Sequence, residues 1–116
     1  MGLLDLLGRR PPEPAVARAV ADAVAALPGV EGHDLAYNHQ RNGSGAVTGR
    51  VDVPDSATFL EVLRAVRRGL DGPLGRRADL VVIDLTARTP DGVPLAPGEL
   101  GLSSPPSGRE VRERLL

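Results

Sequence analysis

Apolar residues recur along this chain with two different periods, and the alternation of the periods predicts the order helix, strand, strand, helix, strand. From about Glu13, Val16, Val20, Ala23, Val24 and Leu27 repeat at helical spacing, with Arg18 and Asp22 on the opposite side. Pro28-Gly29 ends that helix, and Gly29 suits a left-handed cap. Over Gly32 to Gln40 the period falls to two, Leu35 and Tyr37 alternating with Asp34, Ala36 and Asn38. Asn42-Gly43-Ser44-Gly45 supplies hairpin turn chemistry, because Asn and Gly accept positive φ cheaply. The returning strand, Ala46 to Val53, places Val47, Val51 and Val53 on one face and Thr48, Arg50 and Asp52 on the other. Gly49 falls on the apolar face, where it makes room for a helix or marks a bulge.

Pro54-Asp55-Ser56 opens the second helix with Asp55 or Ser56 as N-cap; its stripe is Phe59, Leu60, Leu63, Val66 and Leu70 and its end is expected within Gly69 to Gly75. The third strand, Ala78 to Arg88, holds the run Leu80-Val81-Val82-Ile83, which suggests the centre of the sheet or a strand covered on both faces. Its connection from the second strand passes through a helix, so the two strands run parallel by a right-handed crossover. Beyond Thr89 the chain is rich in Pro and Gly, with at most a short strand near Val93 to Ala96. Ser107 and Glu110 have capping-box spacing before a terminal helical turn. The expected fold is therefore α+β, a two-layer sandwich of order α-β-β-α-β. Two helices pack on one face of a mixed three-stranded sheet. The expected organisation is a leucine-rich segment at 1–10, one domain at 11–102, and a flexible linker with a short helix at 103–116.

Composition narrows this picture. At 116 residues and 41% hydrophobic there is material for one core, and with aromatics at 2% that core is aliphatic. All basic residues are Arg, as in proteins of GC-rich bacterial genomes. A net charge of −1 gives no overall field for nucleic acid, and the near-absence of aromatics argues against binding single strands by base stacking. With no Cys there is no disulfide framework and no thiol nucleophile. No stretch has the roughly 18 apolar residues of a spanning helix. The first residues do not form a signal peptide, because Asp5 interrupts the leucines and Arg9 and Arg10 follow them. A cytoplasmic protein, peripheral to membranes at most, is expected.

The stretch AVADAVAALPGV, a strand ending at an Asn-Gly turn, and GAVTGRVDVPDS before an amphipathic helix resemble the BON domain, a small bacterial domain named for osmotic-shock and nodulation proteins. The likeness spans about Ala15 to Leu85 and rests on Gly45, Val47, Thr48, Gly49 and Val51. It implies an α/β sandwich that binds envelope or phospholipid surfaces without catalysis. The chain is also similar to small actinobacterial proteins of the same element order.

Three sets of residues carry candidate chemistry. Leu3, Leu4, Leu6 and Leu7 form an apolar patch expected to dock on its own domain, in a partner groove or on a membrane surface, and with Val111 and Leu115 of the tail they carry the expectation of protein interaction or self-association. Arg64, Arg67 and Arg68 lie along one side of the second helix and Arg76 and Arg77 follow it, a candidate patch for anionic lipid or phosphate, or else a solvated face. His33, Tyr37 and His39 share a face of the first strand, yet two imidazoles about 20 Å apart at a rise of roughly 3.3 Å per residue cannot chelate one ion. Asn42-Gly43-Ser44-Gly45 lacks the Lys and the helix of a phosphate loop. No nucleophile elbow, zinc-helix motif or paired-carboxylate motif occurs, so no cofactor, metal or catalytic residue is assigned. A non-catalytic protein-interaction or self-association module is the leading expectation. A phospholipid-binding domain is second, and a small ligand-binding regulator or enzyme third.

Overall fold

The computed structural model describes residues 11–39 and 44–116. Helix α1 spans Glu13–Ala25, with Pro12 at its N-cap, where the absent N–H is no loss. Val16, Val20 and Val24 are buried, as the spacing requires. Strands β1 (Gly32–Asn38) and β2 (Ala46–Asp52) pair antiparallel from Gly32 opposite Asp52 to Asn38 opposite Ala46. Helix α2 (Ser56–Leu74) starts at Asp55, whose carboxylate accepts from the Thr58 N–H at 2.8 Å and the Thr58 hydroxyl at 2.7 Å. A 3-10 turn (Gly75–Leu80) leads to β3 (Val82–Arg88), which lies parallel to β2. A two-residue strand β4 (Pro94–Leu95) pairs antiparallel with β3, and helix α3 (Gly108–Leu115) ends the chain. The sheet order is β1-β2-β3-β4.

The class is mixed α/β, as expected, but the described residues hold four strands and three helices rather than three and two. The difference lies after Arg88, where β4 and α3 join the packed unit. The short helix expected within 103–116 is present, but it is docked rather than carried on a flexible linker: Val111 is fully buried in the core and Leu115 packs against it. Ser107 caps α3 by accepting from the Glu110 N–H at 3.1 Å, while the Glu110 carboxylate accepts from the Ser103 N–H rather than returning to Ser107. Only half of the capping box is closed on itself.

The core is aliphatic apart from Phe59 and Tyr37. Ile83, Leu85 and Ala87 of β3 are buried beside Val47 and Val51 of β2. Their alternates Asp84, Thr86 and Arg88 are exposed, so the sheet has one open face. Of the two expectations for the third strand, a place inside the sheet holds, between β2 and β4, while cover on both faces does not. Leu80 belongs to the 3-10 turn and is exposed, which shortens the apolar run that suggested double burial.

Two glycines explain departures from the expected boundaries. A Cβ on Gly69 would lie 3.2 Å from the Ala19 carbonyl and from the Ala23 Cβ, so this position lets α1 and α2 approach closely. Helix α2 therefore continues through Gly69 and Pro73 to Leu74, and Gly75 at φ +54° ends it. Gly49 has φ +142°, and a Cβ there would sit 2.0 Å from the Asp34 carbonyl oxygen. It makes room for the β1 backbone, not for a helix, and the β1–β2 register continues past it without a bulge.

Candidate functional site

The two sides of the sheet are finished differently. Along the free side of β3, β4 pairs with Ala87 and Arg88, and the chain returns before α3 to pair again. There the Ile83 N–H donates to the Pro106 carbonyl at 2.9 Å and the Gly108 N–H donates to the Val81 carbonyl at 2.7 Å. Pro94, Pro97, Pro105 and Pro106 lie on this covering segment, and none of them offers an N–H to a further strand. Strand β1 forms the other side. Among the described residues it pairs with β2 alone. It contains no proline, no Lys or Arg, and no bulge; its only charged side chain is Asp34, which is exposed. A seven-residue strand with no second partner strand among the described residues is the kind of edge to which another strand adds.

The covering segment is fixed by a charge cluster. Arg67 is 3% exposed, and its three guanidinium nitrogens are all engaged. Nε donates to the Gly108 carbonyl at 3.1 Å, one terminal nitrogen donates to Asp71, and the other donates to Asp79 at 2.7 Å. Arg112 meets the same Asp79 carboxylate with two bonds, at 2.9 and 2.8 Å. The hydrogen bonds from Arg112 first, then those from Arg67, hold the Asp79 carboxyl far below the usual carboxylate range. The same contact raises Arg112 above its ordinary value. A Cβ on Gly108 would lie 1.9 Å from the Ala78 carbonyl oxygen, so α3 reaches the 3-10 turn only because residue 108 is glycine.

This cluster decides how the arginine candidates are placed. Arg67 is buried and spent on Asp71, Asp79 and Gly108, so it faces no anionic ligand. Arg64 pairs with Glu61, and its Nε donates to the Leu115 carbonyl at 2.9 Å. Arg68, Arg76 and Arg77 are exposed and hold no ion pair among the described residues. The five do not act as one patch. Asp79, Arg112 and Gly108 escaped sequence reasoning. Arg67 and Asp71 have i, i+4 spacing, but nothing local marks a contact across twelve or forty-one residues.

The face shared by His33, Tyr37 and His39 is also divided. Tyr37 is buried, with its hydroxyl 3.1 Å from His39 Nδ1, and the two rings meet edge to face at 5.2 Å. His39 Nε2 lies 3.2 Å from the Pro11 carbonyl, and the His39 backbone N–H donates to the Glu13 carboxylate. A carbonyl only accepts, which assigns the proton to Nε2 and leaves Nδ1 of the neutral ring to accept from Tyr37. The pair fastens the end of β1 to the start of α1. His33 stands exposed at the other end of the strand and takes no part. Among the described residues no group of three or more His, Asp or Glu side chains is placed to hold a metal ion.

A shallow cleft of about 370 Å³ lies between the end of α1 and the start of α2, lined by Leu27, Pro28, Asp55, Ala57, Thr58 and Glu61. Both of its carboxylates are occupied, Asp55 by Thr58 and Glu61 by Arg64, and hydrogen bonds from Thr58 lower the Asp55 pKa. Leu3, Leu4, Leu6 and Leu7 lie outside the described residues. Val111 and Leu115, the other apolar candidates, are turned into the protein's own core. No helix among the described residues is long and apolar enough to cross a membrane. No family model, no curated protein and no solved structure matches this chain.

Proposed function

We propose that this chain is a non-catalytic interaction module that binds an extended segment by adding a strand to β1. The observation that carries this reading is the contrast between the sheet's two sides. The β3 side is capped by a Pro-rich return and locked by Arg67, whereas β1 carries no proline, Lys or Arg and, among the described residues, pairs with β2 alone. Strand addition satisfies the outward backbone groups of β1 at once, and alternate side chains provide selectivity. A photoreactive side chain placed at Asn38, at the end of β1, tests it against the same group at Thr86 on the open sheet face. Protein adducts concentrated at residue 38 are expected in cells; equal yields at the two positions would remove the reading.

The exposed and unpaired state of Arg68, Arg76 and Arg77 supports a second reading, adhesion to anionic phospholipid as the BON-like sequence implies. Flotation with vesicles containing phosphatidylserine tests it. Binding lost at high salt and in Arg76→Gln/Arg77→Gln supports this reading, and no flotation at low salt removes it.

A further inference from the structure

We infer that this chain associates head to tail, the exposed Leu80 of one copy seating in the cleft between α1 and α2 of the next, with Arg76 and Arg77 set against Asp55 and Glu61. The contact involves no part of β1 and stands or falls apart from strand addition. Leu80 is 61% exposed, more than any other large apolar side chain among the described residues. It closes the 3-10 turn over Gly75–Leu80, where side chains three apart eclipse, so Arg77 stands on the same side. Arg76 eclipses Asp79, but that carboxylate is spent on Arg67 and Arg112. The turn therefore presents one apolar knob and two exposed cations that hold no ion pair among the described residues.

The cleft has the complementary character. Leu27, Pro28 and Ala57 give it apolar walls, and its volume of about 370 Å³ takes one leucine side chain with room beside it for a guanidinium. Asp55 and Glu61 border it, each engaged through a single oxygen, Asp55 Oδ1 by Thr58 and Glu61 Oε1 by Arg64. The second oxygen of each accepts no hydrogen bond among the described residues and is open to an incoming cation. Knob and cleft lie at opposite ends of the molecule. Leu80 precedes β3, whose first residue pairs with Ala46 at the start of β2, whereas Asp55 follows the end of β2. No copy can fill its own cleft. Two different patches this far apart join copies in a heterologous contact, which repeats instead of closing on a two-fold axis. Each added copy brings the C-terminal end of one α2 toward the N-terminal end of the next, the favourable order for the helix dipoles.

Sedimentation equilibrium of the purified protein should show a mass that rises past the dimer with concentration and falls with added salt. Arg77→Ser/Leu80→Ser removes the knob and one cation, and Ala57→Arg places a cation inside the cleft. All three positions are exposed, so both variants should keep the wild-type thermal midpoint within a few degrees. Each variant alone should associate at least about tenfold more weakly. Mixed in equal amounts, the two should recover pairing and stop at a heterodimer. The intact knob of one fits the intact cleft of the other, while the two altered surfaces offer each other nothing. Ala57→Arg leaves Arg76 and Arg77 in place, so loss of self-association in that variant also separates this contact from adhesion to phospholipid. Wild-type protein monomeric at about 1 mM would overturn the inference, 1 mM being a weak limit even for transient association. So would assembly that stops at a dimer, unchanged association in either variant, or a mixture of the two that stays monomeric.

Discussion

The two ends of this sheet solve the same problem in different ways. At β3 the chain spends about a fifth of its length on closing the edge, with four prolines, two backbone pairings and a buried arginine. At β1 the described residues supply no such closure, only a regular strand of seven residues with one exposed carboxylate. Unprotected edges invite association, and a chain able to close one side this thoroughly has the means to close the other. The contrast is what supports placing the proposed interaction on β1. It also makes the covered side a reference, because everything there is held by contacts within the chain.

Glycine substitutions give the largest expected effects, one on each side of the sheet. Gly49→Ala combines φ +142° with a Cβ placed 2.0 Å from the Asp34 carbonyl, so the β1–β2 pairing must open or the backbone must move. Gly108→Ala meets the Ala78 carbonyl at 1.9 Å and disturbs two further bonds, Gly108 N–H to Val81 and Arg67 to the Gly108 carbonyl. Each should lower unfolding free energy by about 3 kcal/mol or more in urea titrations. Hydrogen exchange should tell them apart, with Gly108→Ala loosening Val81 to Ile83 and Gly49→Ala loosening β1. Uniform loosening in both would show that the two sides do not behave as separate units.

Arg67→Met comes next. It keeps the length of the side chain but removes the donors to Gly108, Asp71 and Asp79. Asp79 keeps Arg112 and some solvent, which moderates the loss to about 2–3 kcal/mol, below the range for a wholly uncompensated buried charge. Because the cluster serves the covered side, the variant should leave any association through β1 unchanged at temperatures where it is folded. A loss of association in the folded variant would mean that the two sides are coupled.

The elements that local pattern dictates were legible in the sequence. Val16, Val20 and Val24, and the alternation of Val47, Val51 and Val53, show which side of each element is buried, and Asp55 marks the start of α2. What was hidden depends on contacts distant in sequence. The run Leu80-Val81-Val82-Ile83 reads as a central or a doubly covered strand, and only the 3-10 turn over Gly75–Leu80 takes Leu80 out of it and leaves the central reading. Val111 and Leu115 read as surface for a partner because nothing nearby announces that α3 folds back onto α2. The arginines of α2 look alike in spacing, and only Asp79 and Gly108 separate the buried Arg67 from the exposed Arg68. The β1 edge was half visible. Its lack of proline and basic residues can be read directly, but its place at the end of the sheet cannot.

Acid should act through Asp79 on the covered side. Its folded pKa is depressed, so on acidification the unfolded chain takes up the proton first, near the ordinary carboxylate value of about 4. The stability this group contributes is complete above that value and is lost as pH falls through the depressed folded value. Thermal midpoints should therefore be flat between about pH 7 and 5 as far as this carboxylate is concerned, and decline below about pH 4. Asp79→Asn should make that decline shallower. An equally steep decline in Asp79→Asn would assign acid sensitivity elsewhere, with Asp55 and Asp91 the other carboxylates held low by hydrogen bonds.

The smallest expected effect identifies what closes the covered side. Ser107→Ala removes the hydroxyl that accepts from the Glu110 N–H and should destabilise the protein by about 1 kcal/mol, as for other N-caps. It leaves the backbone bonds from Ile83 to Pro106 and from Gly108 to Val81 in place, together with Arg67 on the Gly108 carbonyl. Exchange protection at Ile83 should therefore fall only by the global loss, with no local excess. If the cap instead held the return against β3, protection at Ile83 would drop well beyond the change in global stability. A purely global drop, compared with a local one in Gly108→Ala, would show that main-chain pairing and the buried guanidinium close this edge, while the helix cap adds stability to α3 alone.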